Sequence, residues 1–162
     1  MKLSLKKGLF YVFAVVIIFG GQFLLNNGQL MGKPPLIKQQ MLDGYNMSSY
    51  LGKEPTIIYF WAKWCGVCKM MQSPVDEVLN DYDGITVAVK SGDDQSVKNY
   101  LQEHKLTWKV LNDPLGKVAE QFKAKGVPAV FFLDENGVIK LTATGYVSEI
   151  GLRLRLWIVS IM

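Results

Sequence analysis

The chain has 162 residues, a length that fits one folded domain with an appendage. Hydrophobic residues make up 49% of it, enough for a packed core, and no internal repeat or low-complexity segment interrupts it. The net charge of +4 is concentrated at the start: without Lys2, Lys6 and Lys7, 15 basic residues stand against 14 acidic ones, so the basic balance gives no ground for nucleic-acid binding.

Leu9 to Leu25 reads LFYVFAVVIIFGGQFLL, with Gln22 as its one polar interruption. As a helix rising about 1.5 Å per residue this run reaches roughly 25 Å, against a hydrocarbon core of about 30 Å. Lys6 and Lys7 on one side, and Asn26 and Asn27 on the other, can cover that mismatch. A cleaved signal peptide is the alternative. Cleavage wants small residues at two positions separated by one, and cutting after Gly20 or Gly21 puts Ile18 or Phe19 at the outer one. No cysteine lies nearby to carry a lipid. The expectation is a retained, single-pass anchor in a lipid membrane over residues 9–25, with residues 1–8 as a cytoplasmic tail. The three N-terminal lysines set that orientation; Lys33 and Lys38 weaken the bias without reversing it. The folded part then lies on the outer side of the membrane, where disulfides persist.

Residues 26–35 are rich in Asn, Gly and Pro and read as a linker, a tether that leaves the following domain free to rotate. The domain itself is expected over residues 36–162. Leu36 to Leu51 carries little pattern. Gly44 and Gly52-Lys53 mark turns, with room for an accessory strand.

Alternating elements follow. Thr56 to Trp61 is apolar and β-rich, suited to a central buried strand. Gly66 to Tyr82 has helical spacing, with Pro74 expected to kink or interrupt it. Asp83-Gly84 ends that unit, and Ile85 to Val89 is a second strand. Asp93 to His104 reads as a helix with Val97, Tyr100 and Leu101 on one face. Trp108 to Leu111 is short and extended. Asp113-Pro114 is expected to open a further helix, Asp as cap and Pro at the tolerated first position, with Val118 and Phe122 inward. Ala129 to Leu133 is a strand, Glu135-Asn136-Gly137 a hairpin turn, and Val138 to Ala143 the return strand. At the C-terminus two periods compete. Leu152 to Trp157 alternates as a strand does, while Leu152, Leu156 and Val159 lie at helical spacing. Arg153 and Arg155 there read as solvated residues, with acidic lipid or a partner as the alternative.

The only two cysteines, Cys65 and Cys68, stand where the first strand gives way to the first helix. A Cys-x-x-Cys in that setting reads as a redox pair. Cys65 would sit at the helix N-terminus, where unpaired N–H groups and the helix dipole favour a thiolate, the attacking species. Cys68 lies one turn further in, close enough to close a four-residue ring. The expected chemistry is attack by Cys65 on a partner disulfide, then resolution of the mixed disulfide by Cys68. Other readings of the pair compete. Structural zinc usually needs four ligands, and the one histidine, His104, is far away in sequence. A structural disulfide closing so short a loop constrains the unfolded chain little. Copper(I) held by the two thiolates stays open as a rival, as does a scaffold role without catalysis. Trp61 and Trp64 flank the pair; Trp64 could shape a substrate groove, and Trp61 is as readily core. Lys63 and Lys69 could favour the thiolate but read first as solvated surface.

Trp61-Ala62-Lys63-Trp64-Cys65-Gly66-Val67-Cys68-Lys69 resembles the thioredoxin active-site segment, with Val67 where thioredoxin has proline. Gly126-Val127-Pro128 resembles the segment that carries that fold's cis-proline. Ser91-Gly92-Asp93-Asp94, Asn112-Asp113-Pro114, Thr144-Gly145-Tyr146 and Ser148 to Arg153 are similar to the membrane-anchored, periplasmic TlpA/DsbE group, and within it to a subfamily linked to copper tolerance. The likeness covers roughly residues 50–157. It implies an α/β thioredoxin fold, a central mixed β-sheet flanked by helices, with a terminal helix at the C-terminus. It implies a thiol–disulfide oxidoreductase whose only cofactor is its own cysteine pair, with no metal. It places Trp64, Val127 and Pro128 at the substrate, the backbone before the proline pairing with the substrate strand. Protein thiols and disulfides are the implied substrates. A transmembrane electron donor of the DsbD or ScsB kind is the implied partner, and cytochrome c maturation is a second role of the group. The absence of a histidine between the cysteines leans towards a reductase. One departure concerns the buried aspartate that thioredoxin carries on the strand before its motif. Tyr59 stands at that position, so the proton acceptor for Cys68 must lie elsewhere. Asp93 and Asp94 follow the second strand and are candidates, with a helix cap the plainer role for Asp93.

Overall fold

The structure is a computed structural model that describes residues 29–162. Its centre is β1, Thr56–Trp61, buried at every position. A strand buried on both faces needs apolar residues without interruption, and Ile57, Ile58, Tyr59, Phe60 and Trp61 supply them. Each fully buried side chain of this size stabilises the fold by about 1.5–3 kcal/mol. β2, Gly84–Val89, pairs parallel to β1, and β3, Val110–Asp113, pairs parallel to β2. β4, Ala129–Leu133, and β5, Ile139–Thr144, add antiparallel on the other side, giving the order β3-β2-β1-β4-β5. The hairpin turn between β4 and β5 is held by the Asp134 carboxylate, which accepts from the backbone N–H groups of Asn136 and Val138.

The period of two along β1 sends its side chains into two cores. Ile57, Tyr59 and Trp61 face one, with Val75, Val78, Val97, Leu152 and Leu156. Ile58 and Phe60 face the other, with Val118, Phe122 and Phe131. The mixed sheet between helices is the thioredoxin fold that the motifs implied.

β2 starts one residue earlier than the sequence reading and β5 is shifted by one residue, and four further elements differ in extent, each for a local reason. The long helix over Gly66 to Tyr82 is two helices, α1 over Gly66–Met70 and α2 over Gln72–Asp81, separated at Met71. Pro74 causes the break. It has no N–H to give the Met70 carbonyl, and its ring crowds that same carbonyl four residues back. α3, Asp94–Glu103, starts one residue later than expected because Asp93 is its cap, accepting from Ser96 N–H at 2.8 Å. β3 runs Val110–Asp113 rather than Trp108 to Leu111, because its register is fixed by β2; Trp108 instead packs edge-on against Tyr59 and Trp61. The next helix, α4, spans Lys117–Gln121, not Pro114 onward. Pro114 and Leu115 form a turn, and Gly116 at φ +77° precedes the helix. Gly116, not Asp113, is the N-cap residue, but the Asp113 carboxylate still reaches the first turn from the end of β3, accepting from Ala119 N–H at 2.9 Å. The C-terminal conflict resolves to a helix: α5, Glu149–Ser160, capped by Ser148 and buried through Leu152, Leu156 and Val159.

The anchor expected over residues 9–25 lies outside the described residues, as does the start of the linker. Among the described residues no helix is long and apolar enough to cross a membrane. The later part of the linker is bonded to the domain. Gln29 donates to the Thr144 hydroxyl at 2.6 Å, Leu30 N–H to the Phe122 carbonyl at 3.3 Å, and Gly32 forms an antiparallel bridge with Ile139. Leu36 to Leu51 holds a single-turn 3₁₀ segment, Met47–Tyr50, and a Gln40–Asn46 bridge in place of an accessory strand.

Candidate active site

β1 and β2 are parallel, so their C-terminal ends share one end of the sheet, and the chain enters α1 from there. Cys65 is the N-cap of α1, and its Sγ accepts from Cys68 N–H at 3.1 Å. An N–H aimed at the sulfur stabilises a thiolate more than a thiol, as does the exposed start of the helix. Cys65 and Cys68 are joined in a disulfide. Both are buried, Cys65 7% exposed and Cys68 2%.

Val127 and Pro128 arrive from the other side. Their peptide bond is cis, and the Val127 carbonyl lies 3.7 Å from Cys65 Sγ. Gly145 N–H donates to the Pro128 carbonyl at 2.9 Å, fixing this segment against the end of β5. Trp64 is 65% exposed, and its indole N–H donates to the Lys90 carbonyl at 3.1 Å. Its ring is thus pinned beside the disulfide while its face stays open. Trp61, by contrast, is core: it stacks on Tyr100 and donates to the Thr86 hydroxyl. The sequence brings Cys65, Cys68, Trp64, Val127 and Pro128 to one place, as the motifs implied. Lys69 is solvent-exposed, and Lys63 sets its ammonium 3.4 Å from the Ser96 carbonyl.

Between Trp64 and Val127 runs a groove of about 360 Å³. Val89, Ala119 and Ala124 give it small apolar walls, and Lys90, Glu120 and Lys125 stand on it. Gly116 also lines it; a Cβ there would meet the Lys90 side chain at 2.9 Å. Trp64 and Val127 were expected at a substrate groove and both line this one, but sequence reasoning missed its other walls. Lys125-Gly126, directly before Val127-Pro128, was the one available signal. The remaining walls come from β2 and α4, and only folding brings them together.

The proton path for Cys68 is narrower than expected. Tyr59, in place of the usual aspartate, is fully buried with its hydroxyl 3.5 Å from the Cys68 carbonyl. Burial pushes its phenol well above the ordinary tyrosine range, so it stays protonated near neutrality and is no base for the Cys68 proton. Asp93 is occupied by Ser96, whose hydrogen bonds hold its carboxyl below the usual range, and Asp94 accepts from Asn112 Nδ2 at 2.8 Å. Neither is bonded to Cys68. His104 is stacked on Tyr100. Among the described residues no group of three or more His, Cys, Asp or Glu side chains could hold a metal ion.

The AhpC/TSA family profile matches residues 35–142. A thioredoxin-like protein of Haemophilus influenzae is 31% identical over 114 residues, 70% of this chain and 68% of its own. Sporulation thiol-disulfide oxidoreductase A of Bacillus subtilis is 27% identical over 119 residues, covering 69% of this chain and 72% of its own. Among solved structures, the exposed lipoprotein thioredoxin of Streptococcus pneumoniae superposes with a TM-score of 0.65 at 26% identity, over 75% of this chain and 97% of that one. With a Cys-x-x-Cys pair in disulfide contact on a thioredoxin fold, the chain belongs to the AhpC/TSA family and is a thioredoxin-like thiol–disulfide oxidoreductase.

Proposed function

We propose that the protein is a membrane-tethered, periplasmic reductase of protein disulfides, with Cys65 as nucleophile and Cys68 as resolving thiol. The observation that carries the site assignment is the setting of Cys65 Sγ, which faces the Cys68 N–H on one side and the Val127 carbonyl on the other. In the reduced enzyme the Cys65 thiolate attacks one sulfur of a partner disulfide. The partner's other sulfur leaves as a thiolate and takes a proton from water. Cys68 then loses its proton, attacks Cys65 Sγ and releases the partner's second thiolate. Two electrons pass to the partner, and the Cys65–Cys68 disulfide is formed. A dithiol donor must supply two electrons to reset it, and across a membrane that is the task of a transmembrane protein of the DsbD or ScsB kind.

Trp64, Val127 and Pro128 hold the substrate strand in this reading, with main-chain pairing beside the cysteines and side chains in the groove. The tether is the apolar run 9–25, supported by its length and its flanking lysines. Assignment to the copper-sensitivity suppressor D subfamily rests on the Ser91 to Asp94, Asn112 to Pro114, Thr144 to Tyr146 and Ser148 to Arg153 segments. It suggests service in copper tolerance; cytochrome c maturation is the alternative role.

Trapping tests the site. In Cys68→Ala the mixed disulfide has no resolving thiol, so Cys65 is expected to accumulate covalent adducts with specific proteins that dissolve on reduction. In Cys65→Ala the adducts should be absent. A copper(I)-binding scaffold would instead take up stoichiometric copper and yield no adducts, an outcome that rejects the reductase reading.

A further inference from the structure

We propose that the disulfide end of the domain is the end turned to the bilayer, so that the enzyme exchanges with cysteines presented at the membrane surface by a membrane-embedded protein. This rests on the reading of residues 9–25 as a retained anchor. The path of the chain supplies the geometry. β5 runs in the same direction as β1, because each is antiparallel to β4. Its last residue, Thr144, pairs with Ala129, next to Pro128, and so lies at the disulfide end. Gly32 bridges Ile139 at the opposite end of β5, running antiparallel to it. Followed backwards from Gly32, the chain climbs along β5 until Gln29 reaches the Thr144 hydroxyl. Leu30 is bonded on the way to Phe122, just before the Ala124 to Val127 wall of the groove. The chain therefore leaves the domain at the disulfide end.

The apolar run closes at Leu25, four Cα steps before Gln29. Those steps reach at most about 14 Å at roughly 3.6 Å each. The far end of the sheet, at the Asp134 to Gly137 turn, is about 20 Å further away for a six-residue strand. Turning that end to the bilayer would strip Gln29, Leu30 and Gly32 from their partners.

The surface at the disulfide end suits the position. Trp64, Val67, Met70, Leu115 and Tyr146 are exposed there. Lys63, Lys69, Lys90 and Lys125 stand among them, against Asp93, Asp94 and Glu120. Exposed apolar side chains interspersed with lysines are the composition that lies well against anionic headgroups.

The experiment uses the full chain in vesicles of phosphatidylcholine and phosphatidylglycerol. In a Cys65→Ser, Cys68→Ser background, a single fluorophore is placed through Leu115→Cys or through Glu135→Cys, at opposite ends of the sheet, and nitroxide-headgroup lipid is added. The expected result is severalfold stronger quenching at 115 than at 135. Equal or reversed quenching, in protein that resists alkaline extraction, overturns the orientation and leaves the anchor standing. Extraction of the protein by alkali overturns both. The unmodified chain gives a second readout that needs no variant. A lipid carrying a headgroup thiol is expected to reduce the Cys65–Cys68 disulfide within its own vesicle, two lipid thiols becoming one lipid disulfide. Failure to do so, while a soluble monothiol reduces the same disulfide in the same vesicles, also overturns the proposal.

Discussion

At the scale of single residues, the two tryptophans of the motif separate binding from stability. Trp61 is 1% exposed, wedged among Tyr100, Trp108 and Thr86, and Trp61→Ala is expected to cost about 3–5 kcal/mol in urea unfolding. Trp64 stands open over the groove. Trp64→Ala should leave the urea midpoint nearly unchanged while slowing exchange with protein disulfides more than with a small disulfide. Equal slowing of both would show that Trp64 acts on the sulfurs rather than on the polypeptide. Tyr59 carries a pH signature. Its phenol is held protonated by burial, so the folded chain titrates at higher pH than the unfolded one. The stability tied to that proton is complete below the unfolded value, about pH 10, and is lost as pH rises towards the folded value. Urea midpoints should therefore fall as pH rises above about 10, and fall less in Tyr59→Phe. Tyr100, also raised by burial, keeps part of the slope in that variant.

At the scale of elements, α4 connects fold to site. It is only five residues long, and its start is held by the Asp113 carboxylate reaching from the end of β3 to Ala119 N–H. Asp113→Ala removes that bond and is expected to cost about 1–2 kcal/mol. It should also slow protein exchange, because Ala119 and Glu120 line the groove. Asp113→Asn keeps an acceptor oxygen and should restore most of both, measured by urea unfolding beside the exchange assay. The elements also show which parts of the architecture can be read from residues alone. β1 and β4 match their expected bounds, because unbroken apolar runs have only one place in a sheet buried on both faces. Cys65, Cys68, Val127 and Pro128 were legible because local motifs carry them. Pro74 was expected to disturb the helix, but its effect falls at Met71, since the ring acts on the carbonyl four residues back. β3 slid two residues because register belongs to the partner strand, and α4 began late because Asp113 stays in the sheet and reaches the first turn from there. Lys90, Ala119 and Ala124 reach the groove only through long-range packing, so no spacing announces them. Gln29 to Gly32 has linker composition and no periodicity, yet backbone bonds fasten it to β5.

At the scale of the whole molecule, the sheet sets the sulfurs, the cis-proline segment and the groove at one end, and the N-terminal segment is fastened beside them. The reactive end is thereby fixed relative to residues 29–32. Weakening the fastening should change which substrates are met while leaving the chemistry intact. Gln29→Ala with Leu30→Pro removes two of the bonds; it is expected to leave exchange with a small soluble disulfide unchanged and to raise the mobility of residues 29–32 in amide hydrogen exchange. Slower exchange with the small disulfide would mean that the segment supports the cysteines themselves.

The central claim is that Cys65 and Cys68 trade two electrons with other thiols as a working pair. The most direct measurement is equilibration of the full chain with graded ratios of reduced and oxidised glutathione, followed by alkylation and intact-mass counting of free thiols. The expected result is one reversible two-electron transition between dithiol and disulfide, at a potential more negative than about −200 mV, as suits a reductase. A pair that stays oxidised or stays reduced across the whole range would contradict it.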